Sequence, residues 1–170
     1  MSLIYDKLDK CFHGTKESPP RLIQKKPDLD RAEDHLAKAE MNVAAMETMF
    51  QNKFFDWTIV AAYYSMYHAT LAALWVIGID ARSHECAVLA FERFYAKKGK
   101  VESKYIEYLH RAKELSERYS ETLEKVRTMR VQASYGTGEI KSADADFSRV
   151  QAKDFFVVIK QLVHEAKGLG

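Results

Sequence analysis

The sequence predicts an all-α fold, an antiparallel up-and-down bundle of four long helices plus one short helix. All three prolines lie within the first 27 of the 170 residues, so no proline interrupts a helix in the remainder of the chain. No stretch shows sustained alternation of apolar and polar residues, and hairpin turns between β-branched runs are absent. Hydrophobic residues make up 47% and charged residues 29% of the chain, which is typical of a folded domain.

Residues 1–27 are predicted to form an N-terminal arm, and residues 28–167 a single helical domain. The arm begins with a short amphipathic helix over residues 2–13, and a polar connector that bears the prolines follows it. The arm contains six Lys/Arg and three Asp/Glu, a net charge of +3, whereas the rest contains 20 and 21, a net charge of −1. Binding of extended duplex nucleic acid needs a strong basic surplus, so this balanced body disfavours it.

Two long helices open the domain. Asp28 or Asp30 is expected to cap the first, whose apolar residues recur at spacings of three and four, in the series Leu29, Ala32, Leu36, Ala39, Val43, Met46 and Phe50. The second, from about Asp56 to Ile77, is apolar on every side and should be the central helix, with Gly78 as its end. It approaches membrane-spanning length, but tyrosines and a histidine at its centre favour a core helix, and no membrane association is predicted.

The second half of the domain contains a short helix and two long ones. Ser83 is expected to cap the short helix, which ends before Gly99. An apolar stripe then runs from Tyr105 to about Tyr135 and places Arg130 on the inward face, with a break near Ser116 to Ser120 as an alternative. A loop over residues 135–146 closes this element, and the last helix is lined by Ala152, Phe155, Ile159, Leu162 and Ala166.

The two cysteines, Cys11 and Cys86, are too few for a disulfide framework and lack the spacing of a zinc site. Charges at the start of the chain argue against a secretory signal, so a cytoplasmic location is expected. Neither an H-E-x-x-H pair nor a phosphate-binding loop, dinucleotide fingerprint or esterase elbow occurs. We therefore predict no metal and no cofactor.

Four segments resemble, in their order along the chain and in their residues, one prokaryotic branch of the HEPN superfamily (higher eukaryotes and prokaryotes nucleotide-binding). They are PDLDRAEDHLAKAE, AAYYSMYHATLAAL, SHECAVLAFERFY and RVQASYG, and the resemblance covers roughly residues 22–167. It implies a helical bundle that usually forms a homodimer, with a polar groove at the end of the long helix. It also implies a small nucleotidyltransferase as a partner protein and, in some members, metal-independent ribonuclease activity in toxin systems.

The ribonucleases that the chain resembles carry an Arg followed, after four to six residues, by a His. Here Arg130 is followed by Tyr135 in the position of that His, and Val131 stands where Asn is common. The branch that the chain resembles usually reads R-x-x-A-D-Y, from which Ser134 departs. A tyrosine would need its pKa lowered by about three units to act as a base at neutral pH, so the balance is against an enzyme.

The predicted ligand-binding residues are Arg130, Ser134, Tyr135, Tyr64, His68 and His84. Tyr64 and His68 share a helix face because they are four residues apart, and with Arg130 they could form a polar pocket. Each also has a purely structural interpretation. Arg130 would then bond helix-end carbonyls or a carboxylate, His68 a tyrosine or a backbone oxygen, and His84 the preceding loop or the central helix.

The leading hypothesis is a protein that binds a nucleotide or RNA, or serves as the partner of a nucleotidyltransferase, in a two-component, toxin–antitoxin-like system. It would lack an intact ribonuclease motif. One alternative is a metal-independent toxin-type endoribonuclease that uses Arg130 with His68 or His84. The other is a structural interaction module that recruits a partner through its basic arm.

Overall fold

The computed structural model describes residues 3–128 and 142–168, with side-chain detail for residues 6–117 and 142–168. Its helices are α1 (Leu3–His13), α2 (Leu29–Gln51), α3 (Phe55–Val76), α4 (His84–Phe94), α5 (Lys104–Thr128) and α6 (Ser142–Ala166). Four of them have 22 to 25 residues, α4 has 11, and α1 is the predicted helix of the arm. The predicted all-α bundle of four long helices and one short helix is therefore confirmed.

Helix α2 begins where its sequence predicts. Asp28 is the capping residue, and its carboxylate accepts a hydrogen bond from the backbone N–H of Arg31 at 3.0 Å. The buried residues of α2 are Ala32, Leu36, Ala39 and Met46, all members of the predicted stripe. This face packs on α3, which runs antiparallel to α2 after the short loop at residues 52–54.

Helix α3 is the central helix. By length and composition it could cross a membrane, but 72% of its most apolar window is buried inside the fold, so it is a core helix. Gly78 follows it with φ +74°, and a Cβ there would overlap the carbonyl oxygen of Lys25. Only glycine suits this position, because it combines the left-handed conformation with a close approach of two backbones.

The boundaries of the last two long helices differ from the prediction. Helix α5 runs without interruption through Ser116 and Ser120, so the alternative of a break there is wrong. Helix α6 begins at Ser142, so the predicted loop over residues 135–146 is helical from that residue onward. Ala145 is fully buried in the first turn of α6, and this tertiary contact favours helix where the local composition indicates a loop.

Ion pairs with a spacing of seven residues connect α2 to α6 in antiparallel fashion. The three pairs are Glu33–Lys167, Glu40–Lys160 and Glu47–Lys153. Arg149 also binds Glu47, with 2.9 Å between Nη1 and Oε2. The spacing keeps these charges on one face of each helix, at the edge of the apolar contact.

Four aromatic side chains form what we call the inner ring cluster, which connects the C-terminal end of α4 with α5 and α6 beside α3. Its members are Phe91, Tyr95, Tyr105 and Phe155. The ring centres of Phe155 lie 5.5 Å from Phe91 and 5.4 Å from Tyr105. The Tyr95 hydroxyl donates to the carbonyl oxygen of Ala73 on α3 at 2.5 Å, and burial raises its pKa. All four side chains are buried, so this cluster is part of the hydrophobic core.

The arm packs on the helical domain through two features that the sequence does not predict. Strand β1 (Leu22–Gln24) pairs antiparallel with β2 (Ile79–Ala81), and at three residues each the strands are too short for alternation to reveal them. Cys11 of α1 and Cys86 of α4, 75 residues apart, form a disulfide. Such bonds are uncommon in the cytosol of most organisms, so the cytoplasmic location stays a prediction.

Candidate functional site

Three of the six predicted site residues, Arg130, Ser134 and Tyr135, lie outside the described residues. Their proposed roles remain predictions. The other three, Tyr64, His68 and His84, lie in a group of rings that we call the His–Tyr cluster. Its members, contributed by α2, α3 and α4, are His35, Tyr63, Tyr64, Tyr67, His68 and His84.

His84 is the first residue of α4 and is held by the central helix. Ser83 occupies the capping position, as predicted, although its side chain makes no capping hydrogen bond. The Tyr63 hydroxyl is hydrogen-bonded to Nδ1 of His84. The Tyr67 ring stacks on the imidazole with ring centres 3.8 Å apart and planes at 18°. The predicted bond of His84 to the central helix is thus present, and its role in ligand binding stays a prediction.

Tyr64 is the open member of the cluster. Its side chain is 42% exposed, whereas Tyr63 and Tyr67 on the same helix are at most 9% exposed. The Tyr64 ring meets the His84 ring edge-on at 87°, with centres 6.4 Å apart. Tyr64 is therefore the most exposed ring of the His–Tyr cluster, and it lies beside His84.

His68 is bonded to a residue that the sequence analysis missed. Its Nδ1 lies 3.2 Å from Nδ1 of His35 on α2, and the ring centres are 5.5 Å apart with planes at 25°. The partner is therefore neither a tyrosine nor a backbone oxygen. A signal was present, because His35 and His68 lie at similar distances from the short loop that joins two antiparallel helices.

Burial keeps the cluster uncharged at neutral pH. Burial, together with the neighbouring His68 and Lys38, lowers the pKa of His35 to about 4. The pKa values of His68 and His84 are also lowered, first by burial and then by Lys38 and Lys113 respectively. Burial raises the pKa of Tyr63 and Tyr67. Three neutral imidazoles thus lie between two lysines, of which Lys113 also pairs with Glu117 at 3.4 Å.

The bond from Tyr63 determines which nitrogen of His84 carries a proton. The phenol has a raised pKa and stays protonated, and Nδ1 of His84 is the acceptor within its reach, so we assign the phenol as the donor and Nδ1 as the acceptor. The proton of His84 then lies on Nε2. In this form His84 presents an N–H donor to a ligand oxygen or nitrogen, and it has no free basic nitrogen for proton abstraction.

The His–Tyr cluster does not have the arrangement of a metal centre. Within residues 3–128 and 142–168, no group of three or more His, Cys, Asp or Glu side chains could hold a metal ion. The Nδ1 atoms of His35 and His68 face each other along the line between the ring centres, as in an N–H···N hydrogen bond. Two nitrogens that bind one metal would instead converge on a point beside that line.

The cluster lies beside the middle of α5, since Lys113 and Glu117 both affect the pKa of His84. Thr128, where the description of α5 ends, is 11 residues beyond Glu117. At 1.5 Å per residue this is about 16 Å along the helix axis. The described part of α5 therefore leads away from the cluster, and the predicted pocket that unites Arg130 with Tyr64 and His68 stays a prediction.

Comparison with known proteins adds a family match. A family model described as the HEPN domain matches residues 32–169. The UPF0332 protein PH1297 of Pyrococcus horikoshii is 31% identical over 80 residues, which cover 47% of this chain and 56% of that protein. The protein named "Putative toxin MJ0605" of Methanocaldococcus jannaschii is 24% identical over 127 residues, which cover 75% of this chain and 84% of that protein.

A second protein of the same organism, named "Putative toxin MJ0142", is 26% identical over 77 residues, which cover 45% of this chain and 52% of that protein. The match to this protein and the match to the P. horikoshii protein therefore each span little more than half of the relative's length. Two of the three relatives carry the word toxin in their names.

Proposed function

The chain belongs to the HEPN domain family, and on that premise we propose that it is a nucleotide- or RNA-binding component of a toxin–antitoxin-like pair. The binding surface is the His–Tyr cluster, and the ligand is a nucleotide or a short single-stranded RNA segment. The names of two relatives support the toxin–antitoxin context. We further propose a homodimer with a small nucleotidyltransferase as partner protein, which the resemblance of the sequence motifs supports.

The observation that carries the proposal is the exposure of Tyr64 beside His84. A base that stacks on an exposed aromatic ring contributes about 1–3 kcal/mol to binding, and every base has a face that can stack. The Tyr64 residue is 42% exposed, so its ring is available for such a contact. Lys38 and Lys113, which flank the cluster, are suited to the phosphates on either side of the base.

The protonation state of His84 favours binding over cleavage. Metal-free cleavage of RNA needs a group that removes a proton from the attacking hydroxyl, and His84 with its proton on Nε2 is a donor. The same N–H is suited to a base carbonyl or a phosphate oxygen. Tyr135 in the place of the family's His points in the same direction.

Binding of a labelled single-stranded RNA oligonucleotide, measured by fluorescence anisotropy, tests the proposal. Tyr64→Ala should weaken binding about 5- to 150-fold, which corresponds to the loss of one stacked base. Lys38→Ala and Lys113→Ala should weaken binding and each reduce the salt dependence by about one counterion. The matched control is Val157→Ala, which removes an exposed apolar side chain from α6. Equal affinities of Tyr64→Ala and Val157→Ala, or no binding by the wild type, would contradict it.

The second candidate is a metal-independent endoribonuclease. It is favoured by one observation, that Tyr63 orients His84 much as an active site orients a general acid or base. Incubation of structured RNA with the protein in EDTA tests it, using the wild type, Arg130→Ala, His68→Ala and His84→Ala. Cleavage that disappears in Arg130→Ala and one of the histidine variants would support an enzyme. Intact RNA, or cleavage unchanged in all variants, would exclude it.

A further inference from the structure

We propose that the Cys11–Cys86 disulfide is a reversible clamp, which holds the N-terminal arm on α4 when oxidised and releases residues 3–20 when reduced. The helical body stays folded in both states. The inference concerns the arm alone and does not depend on the proposed function.

Among the described side chains of helix α1, few contacts besides the disulfide hold it in place. At residues 6–13, Leu8 and Cys11 are buried, Phe12 packs partly buried against the core, the carbonyl oxygen of Cys11 accepts from the N–H of Arg21, and α1 packs against α4 and β1. An isolated helix of 11 residues is marginal in water, so α1 depends on these tertiary contacts. One of the two buried side chains is itself a partner in the disulfide, so opening the bond weakens the main attachment.

Helix α4, on the other side of the bond, is held independently. Ala87, Ala90 and Phe91 are fully buried in the core, and His84 is bonded to α3. Downstream of the arm helix, Leu22 is 1% exposed and β1 is paired with β2. Reduction should therefore free the segment before Leu22 and leave α4, β1 and the His–Tyr cluster in place.

The chemistry is thiol–disulfide exchange with a dithiol protein or a small thiol. The reductant's thiolate attacks one sulfur, the S–S bond breaks, and a mixed disulfide forms that a second thiol resolves. The chain gains two electrons and two protons and ends with two free thiols, while two reductant thiols become one disulfide. Residues 3–20 contain three Lys and three Asp/Glu, a net charge of zero, so the net charge of +3 of residues 1–27 comes from Arg21, Lys25 and Lys26.

Hydrogen exchange of the full-length protein, read by mass spectrometry, tests the clamp. The protein is compared after treatment with diamide and with excess dithiothreitol, and alkylation followed by intact mass counts the free thiols. We expect peptides within residues 3–20 to exchange at least about tenfold faster after reduction, while peptides of α3 and α6 stay protected. Cys11→Ser should exchange fast in the arm under both conditions. Lys7→Ala, an exposed change on α1 that keeps both cysteines, should respond as the wild type does.

Three results would overturn the proposal. The first is an arm that stays protected although two thiols are alkylated after reduction. The second is loss of protection in α3 and α6 together with the arm, which would make the disulfide a staple of the whole fold. The third is the recovery of two free thiols after diamide treatment.

Discussion

Among the described side chains, two clusters of packed rings touch the same central helix, and they differ in chemistry and in exposure. The inner ring cluster is buried on all sides, and its deepest hydroxyl, that of Tyr95, donates to a backbone carbonyl. The His–Tyr cluster contains three imidazoles with lowered pKa values and one tyrosine that is 42% exposed. Both clusters are aromatic, but only the first is explained by the requirements of the core.

This difference in chemistry and exposure indicates that the His–Tyr cluster, and not the inner ring cluster, is the candidate functional region. Phe and Leu could fill the volume of the imidazoles without the cost of desolvating groups that titrate near neutrality. Ionisable groups with shifted pKa values beside an accessible surface are more frequent at functional sites than in cores. The inner ring cluster should therefore respond to mutation through stability, and the His–Tyr cluster through binding and protonation.

The largest expected effect is a difference in unfolding free energy between a variant of the inner ring cluster and a variant of the His–Tyr cluster. Phe155→Ala removes a fully buried ring from the inner ring cluster and should lower the free energy of unfolding by about 3–5 kcal/mol. Tyr64→Ala removes a ring of similar size that is 42% exposed and should cost less than about 1 kcal/mol. Urea denaturation followed by circular dichroism measures both. Equal losses in the two variants would show that the clusters do not differ as the structure indicates.

The next effect is a pH dependence that arises from His35. Its pKa is about 4 in the folded protein and 6.5 as the ordinary value, so below pH 6.5 the unfolded chain binds the proton first. The stability that His35 contributes is complete above pH 6.5 and is lost as the pH falls toward 4. Allowing for the solvent around this half-buried ring, we expect a loss of about 1–2 kcal/mol.

Urea midpoints of wild type and His35→Gln at pH 7, 5.5 and 4.5 measure this contribution. Carboxylates titrate in both proteins, so the difference between the two curves isolates the imidazole. The groups that act on His35 are His68 on α3 and Asp34, Lys38 and Arg31 on α2, all of which the variant retains. His110→Gln, which removes an exposed imidazole from α5, is the control. Parallel curves for wild type and His35→Gln would contradict the prediction.

A smaller change tests the hydrogen bond at the centre of the His–Tyr cluster. Tyr63→Phe removes the donor to Nδ1 of His84 and should cost about 1 kcal/mol of stability, a typical value for one hydrogen bond. Its clearer result should be in ¹⁵N NMR, where His84 is expected as a single form with Nε2 protonated in the wild type and as a mixture in the variant. Tyr108→Phe, whose ring contacts Tyr105 instead, should leave the His84 signals unchanged. The same mixture in the wild type would refute the assignment.

Most of the fold follows from the sequence because helix periodicity is a local signal. The stripe of α2, the all-round apolar character of α3 and the stop at Gly78 depend on neighbouring residues, and the structure agrees with each. The start of α6 at Ser142 depends on the burial of Ala145 by distant residues, and the periodicity of α6 does not show this. Tertiary contacts decide such boundaries.

The candidate site was less predictable, because it depends on which helix faces which. His68 and His84 can be chosen from their positions, but their partners, His35 and Tyr63, require the register between helices. The same holds for the Cys11–Cys86 disulfide, whose 75-residue separation contains no sequence pattern. Which polar groups pair across two helices is determined by how the helices pack, and the sequence of a single helix does not show it.

The smallest expected effect distinguishes two buried hydroxyls on α3. Ser65 and Thr70 are both fully buried, but Thr70 donates to the carbonyl oxygen of Met66 at 2.9 Å, whereas the Ser65 hydroxyl has no hydrogen-bond partner among the described residues. A buried hydroxyl without a partner is destabilising, so Ser65→Ala should raise the free energy of unfolding by up to about 1 kcal/mol.

The matched variant for Ser65→Ala is Thr70→Val, which keeps the branched shape but removes a hydroxyl that is bonded, and it should lower stability by about 0.5–1 kcal/mol. Urea midpoints of the two variants should therefore shift in opposite directions from the wild type. Ser65 follows Tyr64 directly on α3, so a stabilised Ser65→Ala variant would show that the central helix carries a further desolvated polar group next to the His–Tyr cluster. A shift of both midpoints in the same direction would show that the buried Ser65 hydroxyl does not lower stability. The desolvated polar groups in this region would then be the imidazoles of the His–Tyr cluster.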